Sequence, residues 1–293
     1  SDVCSSDLII IDMIVVRARV LGFCAGVRRA VDMARSAALA EPDRPVFTLG
    51  PLVHNARAVA SLAEHGVKVL GEDSLDARLA GSVLVIRSHG ARAETAERAK
   101  ELGATVLDAT CPRVVASQRR AADFAARGWS VVLVGDKGHG EMVAVASRAP
   151  GAAVISTAAE AEALELAGPI GVIAQTTIKK EEYEAILEVL SRRHAVVEAA
   201  DSICPATLER QGALGELLRR VEAVVVVGGK DSANTGRLYR SAVEAGLPAW
   251  HVEEAAELPP EAFRFERVGL TAGASTPDEV VDEVAEALAR GKA

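Results

Sequence analysis

The chain has 293 residues, 49% of them hydrophobic and 25% charged, enough apolar material for one sizeable core or several small ones. A formal net charge of -8, from 33 basic and 41 acidic residues, argues against a protein whose task is to neutralise nucleic acid phosphates. No apolar run reaches the roughly 18 residues of a membrane span and no basic flank marks a signal peptide, so a cytoplasmic protein with neither nucleic acid nor membrane as partner is expected.

Residues 1–12, "SDVCSSDLIIID", read as a non-native or disordered tail, which removes Cys4 from the chemistry. From Met13 the pattern becomes regular. "VVRARVL" reads as a strand, Cys24 follows it, and "VRRAVDMARSAA" has helical periodicity. "PVFTLG" is the next strand, ending at Gly50, and the polar loop "PLVHN" places His54 just beyond. "NARAVASLAEHG" reads as a helix with a glycine stop, and "SVLVIRSHG" as a strand ending at His89.

The cycle then repeats twice. "ATVLDA", Cys111 and the helix "RVVASQRRAADFAARG" lead to the strand "SVVLVG", the loop "DKGHGE" with His139 and Glu141, and "IGVIAQTT" with Thr176 and Thr177. "AVVEAA", Cys204 and "TLERQGALGELLRR" lead to "AVVVVG", the loop "GKDSANTG" with Ser232 and Asn234, and "RVGLTAGAS" with Ser275. The cysteines stand 87 and 93 residues apart, and each lies 26, 24 and 24 residues before its glycine. Pro112 and Pro205 follow their cysteines, as suits the first position of a helix.

Alternating strands and helices imply parallel sheets covered by helices, which bind ligands outside the carboxyl ends of their strands. The expected fold is therefore α/β: three pseudo-equivalent parallel-sheet units arranged as a trefoil around a central site. The expected units are 13–102, 103–194 and 195–293, the last with a C-terminal helix.

A helix N-terminus favours a thiolate, and three thiols aimed at one point form a soft metal site. There is no CxxC pair, so zinc ribbons are poor candidates. Two centres stay open: a catalytic zinc with three protein ligands, and a 4Fe–4S cluster with one iron left free, which ligand softness favours. The polar loops supply hydrogen-bonding groups for anions and hydroxyls, and Glu141 is a candidate proton relay. His65, His194 and His251 match no repeated position and are read as structural.

The motifs "GFCAGVRRA", "VHN", "SHG", "DATCP", "GHGE", "QTT", "ICPAT" and "TAGAS", in this order, resemble the 4-hydroxy-3-methylbut-2-enyl diphosphate reductase family over the chain from about Met13. The resemblance implies three α/β units around a 4Fe–4S cluster ligated by Cys24, Cys111 and Cys204. It implies that His54, His89, Ser232, Asn234 and Ser275 hold a small-molecule diphosphate, that His139 is a substrate-site histidine among the catalytic groups, that Glu141 delivers a proton, and that Thr176 belongs to the relay and contacts substrate. It also implies a two-electron, two-proton reductive dehydroxylation to isopentenyl and dimethylallyl diphosphate at an open iron, with a ferredoxin or flavodoxin as electron donor. This sequence has "HGE" where the family has "HPE", "MVAVASRAPG" in place of a GT-containing stretch, and Ala233 and Gly236 where polar residues are common. A divergent cluster-bearing homologue with a binding or sensing role, and a zinc enzyme on the same cysteines, are the alternatives.

Overall fold

The computed structural model describes residues 13–291; the expectation for residues 1–12, and with it Cys4, lies outside them. Twelve strands form three four-stranded sheets in which every strand pairing is parallel. The first sheet contains β2 (Val46–Leu49), β3 (Val67–Leu70), β4 (Val83–Ile86) and β5 (Thr105–Asp108), in the order β3-β2-β4-β5. The second contains β6 (Ser130–Val134), β7 (Ala153–Ile155), β8 (Ile170–Ala174) and β9 (Val197–Ala200), in the order β7-β6-β8-β9. The third contains β1 (Ile14–Arg17), β10 (Ala223–Val227), β11 (Ala249–Val252) and β12 (Arg267–Ala272), in the order β1-β12-β10-β11.

The strand before each cysteine is thus an edge strand of the preceding unit. β5 and β9 close the first and second sheets, and β1 closes the third against β12. The expected boundaries at 102/103 and 194/195 therefore cut one strand too early, and 13–102 assigns β1 to the wrong sheet. The reason is the crossover rule. Helices α3 (Ala93–Glu101) and α7 (Lys180–Arg193) join parallel strands, and such a crossover returns the chain to the sheet it left. Helix α10 (Asp278–Arg290) ends the third unit, so the open place beside β12 is filled by β1 from the other end of the chain.

Each cysteine caps the helix that opens the next unit: Cys24 caps α1 (Ala25–Ala40), Cys111 caps α4 (Pro112–Ala126) and Cys204 caps α8 (Pro205–Leu218). These helices lie down by their apolar stripes. In α1 the buried residues are Val27, Ala30, Val31 and Ala34, the spacing of a single helical face. In α4 the buried Phe124 seats directly over Gly171 of the central strand β8, where a Cβ would collide with its ring. Trp129 stacks on the Phe124 ring at 5.7 Å, and the Arg127 guanidinium lies 3.6 Å from the Trp129 centroid.

Gly171 is thus the seat that fixes α4, and with it Cys111, against the second sheet. Gly171→Ala should destabilise the fold by about 1–3 kcal/mol, the usual cost of overpacking. Urea unfolding should show a lower midpoint at an unchanged slope.

Candidate functional site

The two central strands of each sheet end in the loops that carry polar residues. Three backbone bonds tie these loops to the cysteines. Cys24 N–H donates to the Ala274 carbonyl (3.1 Å), Cys111 N–H to Ser88 (2.9 Å) and Cys204 N–H to Thr176 (3.0 Å). Ala274 precedes Ser275, Ser88 precedes His89, and Thr176 is itself an expected site residue. The same short bond therefore sets a thiol beside a polar side chain in all three units. The eleven expected site residues line one inner cavity of about 90 Å³: Cys24, Cys111, Cys204, His54, His89, His139, Glu141, Thr176, Ser232, Asn234 and Ser275. His65 and His251 do not. They bond the Ser61 and Gly228 carbonyls, each at 2.8 Å.

The three thiols are free and partly exposed. The Val27 amide donates to Cys24 Sγ at 3.5 Å. Gly26 leaves room for a neighbour: a Cβ there would stand 2.8 Å from Cys111 Sγ and 4.0 Å from Cys24 Sγ. Burial pushes the Cys111 thiol up, against the pull of the Arg113 and Val114 amides. This reverses the expectation that the helix start lowers it. Desolvation outweighs the dipole while the thiol keeps its proton, and a metal replaces that proton outright.

Beside the thiols stand three histidines from two units. Ring centroids are 5.1 Å apart for His54 and His89, 5.1 Å for His89 and His139, and 6.1 Å for His54 and His139. Among the described residues, their nitrogens form the one group of three potential metal ligands lying within 4.8 Å of one another. Burial holds all three imidazoles low, His89 well below the ordinary range and His139 at about 4, so they are neutral at physiological pH. Ser232 caps α9 (Ala233–Glu244), and its hydroxyl lies 3.4 Å from that of Ser275. His89 Nδ1 and Asn234 Nδ2 are buried without a partner, as donors or acceptors awaiting a ligand would be.

Glu141 stands at the second position of α5 (Gly140–Ala146), only 1% exposed. The Thr176 amide donates to Oε1 at 2.7 Å and the Thr176 hydroxyl to Oε2 at 2.6 Å. Burial nevertheless raises the carboxyl to about 7, because two hydrogen bonds do not replace a hydration shell.

Arg210 and Arg237 escaped the sequence reading. Arg210, 2% exposed, donates to the Ala272 carbonyl at 3.1 Å and the Gly22 carbonyl at 3.0 Å; burial lowers it, against the opposing pull of Cys24 and Cys204. Helical spacing could have found it, since it lies on the buried face of α8 with Thr207, Ala213, Leu214 and Leu217. Arg237, also buried, makes a two-pronged pair with Asp136 at 2.8 and 2.9 Å, joining the third unit to the loop before His139. No local pattern marks that pairing, because its partners lie about 100 residues apart.

A family model described as LytB protein matches residues 15–289. The chain belongs to the LytB family. It is 42% identical over 290 residues to a 4-hydroxy-3-methylbut-2-enyl diphosphate reductase of Treponema denticola, covering 95% of this chain and 100% of that one. A protein of the same name from an Anaeromyxobacter species is 44% identical over 269 residues, covering 92% and 94%. The fold is that of a solved Plasmodium falciparum E-1-hydroxy-2-methyl-but-2-enyl-4-diphosphate reductase, with a TM-score of 0.89 at 24% identity over 94% of this chain and 87% of that one. A second solved structure, titled (E)-4-hydroxy-3-methyl-but-2-enyl diphosphate reductase, gives 0.67 at 35% identity over 95% of this chain and 100% of that one. No helix among the described residues of this LytB chain is long and apolar enough to cross a membrane.

Glu141 makes the stability of this LytB chain depend on pH. An acid whose value rises from the ordinary 4.5 to about 7 on folding holds its proton more tightly in the folded state. Its contribution is full below 4.5 and is lost as pH rises through about 7, a loss of roughly 3 kcal/mol at about 1.4 kcal/mol per pH unit. Glu141→Gln should flatten this part of the profile, so the variant gains on the wild type between pH 5 and pH 8 in denaturant titrations.

Proposed function

We propose that this chain reductively removes the allylic hydroxyl of 4-hydroxy-3-methylbut-2-enyl diphosphate, giving isopentenyl and dimethylallyl diphosphate. The observation that carries the reading is the meeting of three free thiols, a ring of neutral histidines with two serines, and a buried carboxyl held near 7, all in one cavity. Each turnover takes two electrons and two protons and releases the hydroxyl as water.

The thiols fit a 4Fe–4S cluster. They are soft donors on three helix starts, free of disulfides and lining one cavity. Cys24, Cys111 and Cys204 would hold it, and Arg210 offsets the negative charge of the thiolates at Cys24 and Cys204. When bound, a cluster with three protein ligands supplies single electrons and a Lewis-acidic iron. The electrons come from a small carrier of ferredoxin or flavodoxin type.

The protein's own groups do the rest. Neutral His54, His89 and His139 offer N–H donors to diphosphate oxygens without drawing charge into the cavity, and the Ser232, Ser275 and Asn234 side chains add short, polar donors. Glu141, near 7, keeps its proton in a good fraction of molecules at neutral pH and is matched to giving it up there. Once that proton leaves, the Thr176 amide and hydroxyl hold the remaining carboxylate in place.

Two variants test the reading after anaerobic reconstitution. Cys111→Ser should lose most of its bound iron, since a serine hydroxyl is a harder and poorly ionised donor. Glu141→Gln should keep its iron and its affinity for inorganic diphosphate, with turnover lowered about 10²–10⁴-fold, the usual worth of a positioned proton donor. Wild-type turnover in the glutamine variant would remove Glu141 from the proton path and favour a binding role for the protein.

A further inference from the structure

The inner cavity shares a wall with a larger, open one of about 630 Å³. His54, His139 and Ser232 line both, and Arg87 lines the outer one. Arg87 follows β4 by one residue, two before His89. Its side chain is only 18% exposed, its Nε is buried without a partner, and the nearest carboxylate, Glu72, is 3.9 Å away. Its other oxygen, Oε1, accepts from the Thr95 hydroxyl at 2.9 Å, and Oε2 faces Arg87 beyond hydrogen-bond distance. A guanidinium with five donors is therefore held beside the histidines with little to satisfy it.

What holds it is a notch of two glycines. A Cβ on Gly50 would stand 2.6 Å from Arg87 Nη1, and one on Gly140 would stand 2.9 Å from Nη2 and 3.2 Å from Cζ. Gly140 is the first residue of α5 and does not have positive φ; His139 before it has φ -61° and ψ 137°. Both backbones would accept proline at 140, since the first helical position suits it and the preceding residue is already extended. The three nearest atoms that a Cβ there would meet all belong to the Arg87 guanidinium. The glycine in "HGE" and the arginine in "IRSHG" therefore occupy one space between them.

We propose that Arg87 is a positioning residue of the diphosphate site: seated against Gly50 and Gly140, it sets the start of α5, where His139 and Glu141 stand, and places a fixed positive charge behind the imidazoles. This rests on the diphosphate reading above. Neutral histidines donate hydrogen bonds but do not balance a diphosphate's charge, and Arg87 supplies that balance from a distance without standing in the reaction path. Its charge also bears on all three histidines, opposing their protonation.

A double-mutant cycle on the reconstituted protein separates this from a merely structural role. Four proteins are compared: wild type, Arg87→Met, Gly140→Pro and the double variant. Each is titrated calorimetrically with inorganic diphosphate and melted without it. Arg87→Met should weaken diphosphate by roughly tenfold, and Gly140→Pro by a similar factor with a lowered Tm. In the Arg87→Met background, Gly140→Pro should cost less than about twofold in affinity and leave Tm equal or higher. Arg87→Lys, which keeps the charge but not the planar fork, should retain most of the affinity and serves if the methionine variant does not fold. Equal cost of Gly140→Pro in both backgrounds would show that the two residues do not share the notch. Unchanged diphosphate affinity in Arg87→Met would remove the electrostatic role. A wild type that binds diphosphate and shows the coupling, yet does not reduce the allylic substrate, would overturn the proposed reaction and leave the role of Arg87 standing.

Discussion

Three backbone hydrogen bonds, from the amides of Cys24, Cys111 and Cys204 to the carbonyls of Ala274, Ser88 and Thr176, hold this site together. Each spans a seam where the chain leaves one sheet and enters the next helix. A seam is where two units must be fixed relative to each other, and the bond fixes them with a thiol on one side and a polar loop on the other. Because it recurs three times, the thiols and the polar loop side chains face one cavity without any single unit containing a site. The bond is also available to any sequence, since it uses only main-chain atoms, so the side chains at each seam are free to differ.

They do differ, and the differences divide the labour. The first unit brings His54 and His89, the second His139, Glu141 and Thr176, and the third Ser232, Asn234 and Ser275. The histidines are kept neutral by burial and by the Arg87 charge. Glu141 is kept near 7 by the same desolvation. One physical cause, exclusion of water at the junction of three sheets, thus yields hydrogen-bond donors that carry no charge and an acid that keeps its proton. The cost is borne in stability: His89 Nδ1, Asn234 Nδ2 and Arg210 Nε are buried without partners, and an ionised Glu141 weakens the fold.

Much of this was legible in the sequence, because the repeat writes the same local pattern three times. The strand–Cys–helix order and the glycine after each following strand depend on short-range preferences that period and turn chemistry reveal. Sheet membership was not legible in the same way. β1 reads like β5 and β9, but its partner β12 is about 250 residues away, and nothing local says that the first strand closes the last sheet. The Arg87–Gly140 notch escaped for a related reason. "HGE" looks like the loss of a stiffening proline until the guanidinium that fills its place is seen. The thiol of Cys111 was misjudged because the helix dipole can be read from a sequence while the depth of burial cannot.

The central claim is that thiols and histidines form two halves of one site, one for iron and one for diphosphate. Diffraction at the iron edge from anaerobically reconstituted crystals soaked in inorganic diphosphate tests it most directly. The account predicts anomalous iron density among Cys24, Cys111 and Cys204, with diphosphate against His54, His89, His139, Ser232 and Ser275. Iron bound at the histidines instead, or diphosphate lodged away from them with the thiols bare, would contradict it.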